Sequence, residues 1–375
     1  RLSIFNNDSK NIFSVSKEIS EKKDYEEHSK SLDFLIRTAE KKISFHLENV
    51  VVLYDNPEFS SIDLSIKKDF DQLINFKDVY YSLLMESNLL ISNNYLNDKI
   101  IHLIVVKLFV DGKEFFENFD EDKKIKSINL ELKFLLLNSK KYNEILKIFK
   151  KNNLEILNLY CTSFIKSFSY INYFNNKNNL TFLDIGWERS TVISYKNNRP
   201  ILFNSIPIGG NHITKDISKV LNIDLDDSEK IKKTFNKSEI EFSFDQKTTD
   251  EKKKLIQQII GKNISIDLLK KVVLARVEEI ISLAFKDIFL SEETKSNINS
   301  LLVLTGNGSN LFDKNSFHLD NRFGFKEISF YEENDPEICS AGHYFDTNEN
   351  NVIKLLNKSK KKVGFFEKFF NFFDR

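Results

Sequence analysis

LDIGWERSTVISYKNNRPILFNSIPIGGNHITKDI, residues 183–217, combines buried strands with glycine turns. Together with residues 180–182, which precede this stretch, its apolar runs predict strands over 180–185, 191–195 and 201–206. Asp184 lies at the end of the first strand and Gly186 in the turn after it. The pair Gly209 and Gly210 directly precedes a helix that we predict over 214–221. Because a helix N-terminus presents backbone N–H groups and a positive dipole end, this arrangement favours an anion.

A second glycine segment, LTGNGSNL at 304–311, follows a predicted buried strand over 301–304. Its small residues let the backbone approach a flat or phosphorylated ligand. The chain has only 10 glycines in 375 residues, so those that remain mark positions where a Cβ is costly. Six of them are expected beside strand ends: Gly186, Gly209, Gly210, Gly306, Gly308 and Gly342.

The rest of the chain alternates between helical and strand patterns, which is typical of an α/β protein. Period-two runs and continuous β-branched runs predict strands over 50–54, 62–66, 100–110, 129–137 and 154–160. Helical spacing predicts helices over 31–43, 70–85, 142–149, 164–170 and 267–288.

The composition narrows the class of protein. The 55 basic and 55 acidic residues balance to a net charge of zero, which argues against a nucleic-acid binder. Two cysteines exclude a disulfide scaffold and fit a reducing compartment. No apolar run approaches the roughly 18 residues of a membrane-spanning helix, and the start of the sequence has neither a signal-peptide pattern nor a Met. We expect a soluble, cytoplasmic, multidomain protein.

The last residues, KSKKKVGFFEKFFNFFDR at 358–375, have a different pattern. On a helix, one face carries Phe365, Phe366, Phe369, Phe370, Phe372 and Phe373, and the other carries Glu367, Lys368, Asn371 and Asp374. An aromatic amphipathic helix behind a lysine cluster is typical of the surface of an anionic bilayer. The alternative is docking on the protein's own core or on a partner.

The segments 183–233, 275–288 and 301–311 together resemble the actin, Hsp70 and sugar-kinase superfamily, and within it the FtsA family of bacterial cell-division proteins. The resemblance implies an α/β, actin-like two-lobed ATPase fold with an inserted small α+β subdomain and a C-terminal amphipathic helix. The implied divisions are a first lobe over 1–57 and 128–178, the insertion over 58–127, a second lobe over 179–345, a linker over 346–362 and the amphipathic helix over 363–375. The family's first phosphate loop, a strand that ends in Asp-x-Gly-Thr, is not found near the start of the sequence; either the sequence begins after it or the protein has lost it.

The resemblance also implies ATP and Mg²⁺ as cofactors. Asp184 corresponds to the residue that holds Mg²⁺, usually through water, and Glu229 and Lys232 to residues that contact ribose and adenine. The remaining implied nucleotide contacts are Gly186, Arg189, Ser190, Gly209, Gly210, Gly306, Asn307 and Gly308. Trp187 and Glu188 replace two glycines of the family's second phosphate loop, while Arg189 and Ser190 can still supply a charge and a hydroxyl. We identify no catalytic base, so activity is at most a weak ATPase. A nucleotide-switched adaptor and a nucleotide-free scaffold both stay open.

By this resemblance the chain is an adaptor that tethers FtsZ to the inner face of the cytoplasmic membrane at the division septum. It implies FtsZ binding through roughly 207–290, self-association through the insertion, and contacts with anionic lipids and other division proteins. Phe365, Phe366, Lys368, Phe369, Phe370 and Phe373 are the expected membrane contacts. The alternatives are a pilus-assembly actin-like adaptor, which normally lacks the terminal helix, and a small-molecule kinase of the same fold, which needs intact phosphate loops and a general base.

Overall fold

The structure is a computed structural model that describes residues 1–17, 25–115, 119–174, 179–237, 266–286, 300–311, 325–331 and 333–347. The chain divides into two compact units. The first unit comprises Arg1–Leu53, Ser61–Cys161 and the described part of Cys339–Arg375, and the second comprises Tyr54–Ser60 and Thr162–Ile338. No helix within the described ranges is long and apolar enough to cross a membrane.

The first unit contains a four-stranded sheet in the order β4-β7-β5-β6, a β1-β2 pair and a β3-β8 pair. Its strands are β1 (Leu2–Phe5), β2 (Asn11–Val15), β3 (Asn49–Tyr54), β4 (Ser60–Asn75), β5 (Asp98–Val110), β6 (Lys113–Phe115), β7 (Lys124–Asn138) and β8 (Glu155–Cys161). Its helices are α1 (Tyr25–Ile43), α2 (Phe76–Asn94) and α3 (Ser139–Lys151). Strands β5 and β7 pair antiparallel along most of their length. Buried Leu83 and Leu84 of α2 and Phe134 of β7 belong to one core cluster.

The helix predicted over 70–85 was wrong at its start. Strand β4 continues to Asn75, and α2 begins at Phe76. The period-two burial of Ile62, Leu64 and Ile66 persists to Phe70, which keeps this stretch in the strand. The side chain of Asn75 then caps the helix by accepting from the Lys77 N–H at 2.9 Å.

The second unit is built on a five-stranded sheet in the order β11-β10-β9-β12-β13. Its strands are β9 (Asn179–Ile185), β10 (Ser190–Lys196), β11 (Arg199–Ile206), β12 (Ser300–Thr305) and β13 (Phe325–Phe330). Its helices are α4 (Thr162–Tyr170), α5 (Gly210–Leu221), α6 (Leu225–Lys237) and α7 (Ile266–Ala284). Strand β10 pairs antiparallel with β9 and β11, and β12 runs parallel to β9 and β13.

The core of the second unit joins this sheet to α5, α6 and α7. Buried members include Leu183, Leu304, Ile217, Ile231 and Ile280. The parallel β9-β12 pair places Asp184 beside Thr305, so the ends of both strands meet at one edge of the sheet. The segments that the sequence predicted as neighbours therefore do converge.

Gly342 was wrongly expected beside a strand end. It lies inside the last described helix, α8 (Asp335–Thr347). A Cβ at this position would lie 2.8 Å from a methyl group of Leu53, so the glycine allows close packing of the helix there.

Candidate functional site

The candidate site lies in the second unit, where β9 turns back into β10. Asp184 is opposite Thr191 and Ile185 is opposite Ser190 in the antiparallel register. The N–H of Gly186 donates to the Arg189 carbonyl at 2.9 Å and closes the turn. This is the hairpin that the sequence predicted around GWERS.

Asp184 is buried and its carboxylate is occupied by protein groups. Lys166 Nζ on α4 donates to Asp184 Oδ1 at 2.8 Å, and the Ser163 hydroxyl donates to Oδ2. Lys166 also donates to Glu333 Oε2 at 2.9 Å, so one ammonium joins two carboxylates. Burial alone lowers the pKa of Lys166, but the charges of Asp184 and Glu333 outweigh it and the pKa is raised. Lys166 is therefore a permanent cation at this position.

Arg189 provides a second buried cation, and its guanidinium points into the protein. It donates to Asp55, Ser163 and Thr191, and its Nη2 lies 3.7 Å from Asp184 Oδ2. Burial lowers the pKa of Arg189 to about 9, which leaves the side chain charged at neutral pH. The neighbouring Ser190 hydroxyl donates to the Ile208 carbonyl at 2.8 Å.

The glycine pair lies at the start of a helix, as predicted, but the predicted first residue was wrong, because α5 begins at Gly210 and not at Thr214. The first amides of α5 already have acceptors. The Gly210 N–H donates to the Gly186 carbonyl at 2.9 Å, and the Asn211 N–H donates to the Trp187 carbonyl at 2.7 Å. A Cβ at Gly209 would lie 2.5 Å from the Gly186 carbonyl oxygen. The glycine pair therefore lets the GWERS turn cap the helix directly.

Glu229 and Lys232 on α6 pair with each other. Lys232 Nζ lies 2.5 Å from Glu229 Oε2 and donates to the Gly210 carbonyl at 3.1 Å. The hydroxyl of Thr214 lies between them, 2.7 Å from Lys232 Nζ and 2.6 Å from Glu229 Oε2. Lys232 Nζ also lies 4.6 Å from the centroid of the Trp187 ring, in the range of a cation–π contact.

The segment after β12 packs against the same turn. Gly306 has a φ of +80°, which favours glycine, and a Cβ there would lie 2.5 Å from Asp184 Oδ1. A Cβ at Gly308 would lie 2.4 Å from a methyl group of Ile185. Asn307 between them is exposed.

The structure thus brings together nearly all the residues that the sequence singled out for the nucleotide. Ten of them contact one another or one another's immediate neighbours: Asp184, Gly186, Arg189, Ser190, Gly209, Gly210, Glu229, Lys232, Gly306 and Gly308. The expected membrane contacts Phe365, Phe366, Lys368, Phe369, Phe370 and Phe373 lie outside the described residues.

Sequence reasoning missed four partners of this site: Asp55, Ser163, Lys166 and Glu333. Two of them, Lys166 and Asp55, had a usable signal in the sequence. Lys166 is the single charged residue in the helix TSFIKSFSY, and Asp55 directly follows the last residue of β3. Their roles depend on chain segments far apart in sequence, which no local pattern links.

ATP and Mg²⁺ do not fit these contacts. A magnesium site needs carboxylate or carbonyl oxygens with room for several waters, whereas Asp184 accepts from Lys166 and Ser163.

Comparison with known proteins gives a family match over the same unit. The family model described as cell division protein FtsA matches residues 181–340. FtsA of Bacillus subtilis (strain 168) is 27% identical over 218 residues, which are 55% of this chain and 46% of the relative. The chain therefore spans about half the length of the curated relative that it matches.

Among solved structures, the PilM-PilN type IV pilus biogenesis complex matches with a TM-score of 0.51 and 14% identity, over 87% of this chain and 84% of that one. MreB5 of Spiroplasma citri bound to ADP has a TM-score of 0.42 and 14% identity, over 60% of this chain and 68% of that one. The expected actin-like α/β fold is confirmed, and so is the resemblance to FtsA.

Proposed function

We propose that this chain is an actin-fold adaptor of bacterial cell division that holds FtsZ at the inner face of the cytoplasmic membrane. The observation that carries the proposal is the FtsA match over 181–340, which includes nearly all of the five-stranded sheet of the second unit, its glycine turns and helices α5, α6 and α7. Fold alone does not define a function, so the sequence match is the stronger support. Because ATP and Mg²⁺ do not fit at Asp184, no nucleotide-dependent step is part of the proposal.

The membrane contact is assigned to 363–375 on its sequence. If this stretch is drawn as a helix, its six phenylalanines fall on one face and follow Lys358 and 360–362 in the sequence, a pattern that suits an anionic lipid surface. One such helix binds weakly, so self-association through 58–127 raises the total affinity by avidity.

The FtsZ contact is assigned to the second unit within 207–290. The described part of this range exposes apolar side chains near the end of α5 and the start of α6. Val220 is 48% exposed and Leu225 is 36% exposed. The proposal takes these two side chains, at the end of α5 and the start of α6, as part of one contact, because contiguous exposed apolar patches mark interaction sites.

The experiment is co-sedimentation of purified FtsZ and this chain with vesicles containing anionic phospholipid. The wild-type chain is expected to pellet with the vesicles and to carry FtsZ with it. Phe369→Asp, at the centre of the apolar face, is expected to abolish vesicle binding. Asn371→Asp adds the same charge on the opposite face and is expected to leave it intact.

A second pair of variants separates the two contacts. Val220→Asp is expected to lose FtsZ while keeping vesicle binding, because the change lies in the second unit and not in 363–375. Lys219→Gln lowers the net charge by the same amount at the exposed neighbouring residue and is the matched control. Vesicle binding by the wild-type chain without FtsZ recruitment would contradict the proposal.

The fold match to the pilus complex raises a pilus-assembly adaptor as the second candidate. That match is 14% identical and shows the fold alone, whereas the FtsA match is one of sequence. A chain that binds neither vesicles nor FtsZ in the same assay would favour the pilus candidate.

A further inference from the structure

We propose that the site at Asp184 is closed by the chain's own groups, so that the second unit keeps its structure with neither nucleotide nor metal bound. The inference concerns the second unit alone and does not depend on FtsZ or on the membrane. It rests on the charged side chains beside Asp184, on the hydrogen-bond partners of the first amides of α5, and on the space around the glycines of the site.

The Asp184 carboxylate already has cationic partners from the chain itself. Lys166 Nζ lies 2.8 Å from Asp184 and 2.9 Å from Glu333, and the exposed fractions of the three side chains are 7%, 6% and 8%. Arg189 adds a second buried cation beside Asp184 and Asp55. A metal ion at Asp184 would compete with Lys166 for the carboxylate and would place a further positive charge beside two buried cations, which is unfavourable.

The backbone donors are already used. An anion at the start of α5 needs N–H groups that point at it. Those of Gly210 and Asn211 point instead at the carbonyls of Gly186 and Trp187, at 2.9 and 2.7 Å. The Gly209 N–H faces His212 Nδ1 at 3.2 Å. A phosphate could bind here only if the GWERS turn moved away from the helix.

The space is already filled. In a site that receives a ligand, glycines leave room for the ligand. At Gly209, Gly306 and Gly308 an added Cβ would meet atoms of the chain itself, at 2.5, 2.5 and 2.4 Å. These glycines let the two loops and the helix pack against one another, and the room that they leave is occupied by residues 184–189.

The side chains expected to bind ribose and adenine are also engaged. Lys232 is buried between Glu229, Thr214 and the Trp187 ring. An adenosine would have to replace both the ion pair and the cation–π contact. Trp187 is the only tryptophan of the chain, so its fluorescence reports directly on any such change.

The first experiment measures thermal unfolding of the wild-type chain by Trp187 fluorescence, with and without Mg²⁺, MgADP or MgATP. A ligand at 100 times its Kd raises Tm by roughly 5–10 °C for a unit of this size. We expect no shift and no change of emission at the start of the scan. A saturable rise in Tm with MgATP would overturn the proposal.

The second experiment replaces Lys166 with methionine, which keeps the length of the side chain and removes its charge. Two buried carboxylates lose their shared cation, so Tm is expected to fall by about 10 °C or more, or the unit to fail to fold. Lys219→Met, at an exposed position on α5, is the matched control and is expected to match the wild type. Equal stability of the two variants would overturn the proposal.

Discussion

Gly209→Ala places a methyl group where the backbone of the GWERS turn already lies. The added Cβ would be 2.5 Å from the Gly186 carbonyl oxygen, 2.7 Å from the Arg189 nitrogen and 2.8 Å from the Trp187 carbonyl oxygen. These are backbone atoms, which cannot rotate away as a side chain can. The φ of Gly209 is −150°, so the cost comes from the contact and not from backbone strain.

The magnitude follows from the contacts that must change. Overpacking costs about 1–3 kcal/mol. Moving the turn also weakens the two amide–carbonyl bonds that cap α5, each contributing about 1 kcal/mol. The free energy of unfolding of the second unit is therefore expected to fall by about 3–5 kcal/mol.

The adjacent glycine is the control. A Cβ at Gly210 would lie 3.6 Å from both the Gly186 carbonyl oxygen and Lys232 Nζ, which is ordinary contact. Gly210 is the first residue of α5, a position whose helical backbone conformation alanine can adopt. Alanine there also reduces the conformational entropy of the unfolded chain. Gly210→Ala is expected to be neutral or to stabilise by about 0.4–1 kcal/mol.

Urea unfolding followed by Trp187 fluorescence measures both variants. The midpoint is expected to fall for Gly209→Ala with an unchanged slope, and to stay or rise for Gly210→Ala. If Gly209→Ala unfolded within about 0.5 kcal/mol of the wild type, or if both alanines were equally harmful, the close packing of turn and helix would be refuted.

Three further predictions concern other parts of the chain. His102 is buried and accepts a hydrogen bond from the Cys161 N–H at 2.9 Å, and burial lowers its pKa to about 3. Up to about 4–5 kcal/mol of the free energy of unfolding is therefore lost as pH falls from about 6.5 to 3. His102→Gln is expected to flatten that part of the stability profile measured by circular dichroism against pH. Arg276 donates two hydrogen bonds to Asp216, at 2.6 and 2.9 Å, and so joins α7 to α5. Arg276→Lys cannot form both bonds and is expected to lower the free energy of unfolding in urea by about 1 kcal/mol. An unchanged free energy would show that this ion pair does not stabilise the unit. Gly112 has a φ of +76° and open space around the position of an added Cβ. Gly112→Ala is therefore expected to lower the free energy of unfolding by only about 1–2 kcal/mol, from backbone strain, as measured by calorimetry. A larger loss would reveal a steric contact that the structure does not contain.

Much of the second unit could be predicted from local pattern. Continuous apolar runs predicted β9 and β12 within about one residue of their observed bounds. The scarcity of glycine correctly indicated that Gly209, Gly306 and Gly308 tolerate no Cβ. These features succeed because they depend on residues close together in sequence.

Local sequence patterns could not predict whether the site binds a ligand or is filled by the chain itself. Glycine-rich loops beside a strand-end aspartate are typical of phosphate binding, yet the same pattern also permits two loops to pack on one another. The choice between them depends on Lys166 of α4, which binds both Asp184 at the end of β9 and Glu333 just after β13. These two strands are far apart in sequence and lie in one sheet only because of its strand order. The missed start of α2 had a simpler cause, because Phe70 fits both a strand and a helical period.

The most direct test of the whole account is FtsZ recruitment to anionic vesicles by the wild-type chain, measured with and without MgATP. An adaptor whose site is closed by Lys166 and Arg189 is expected to recruit the same amount of FtsZ in both conditions. Recruitment that requires MgATP would contradict the closed site, and no recruitment in either condition would contradict the adaptor function.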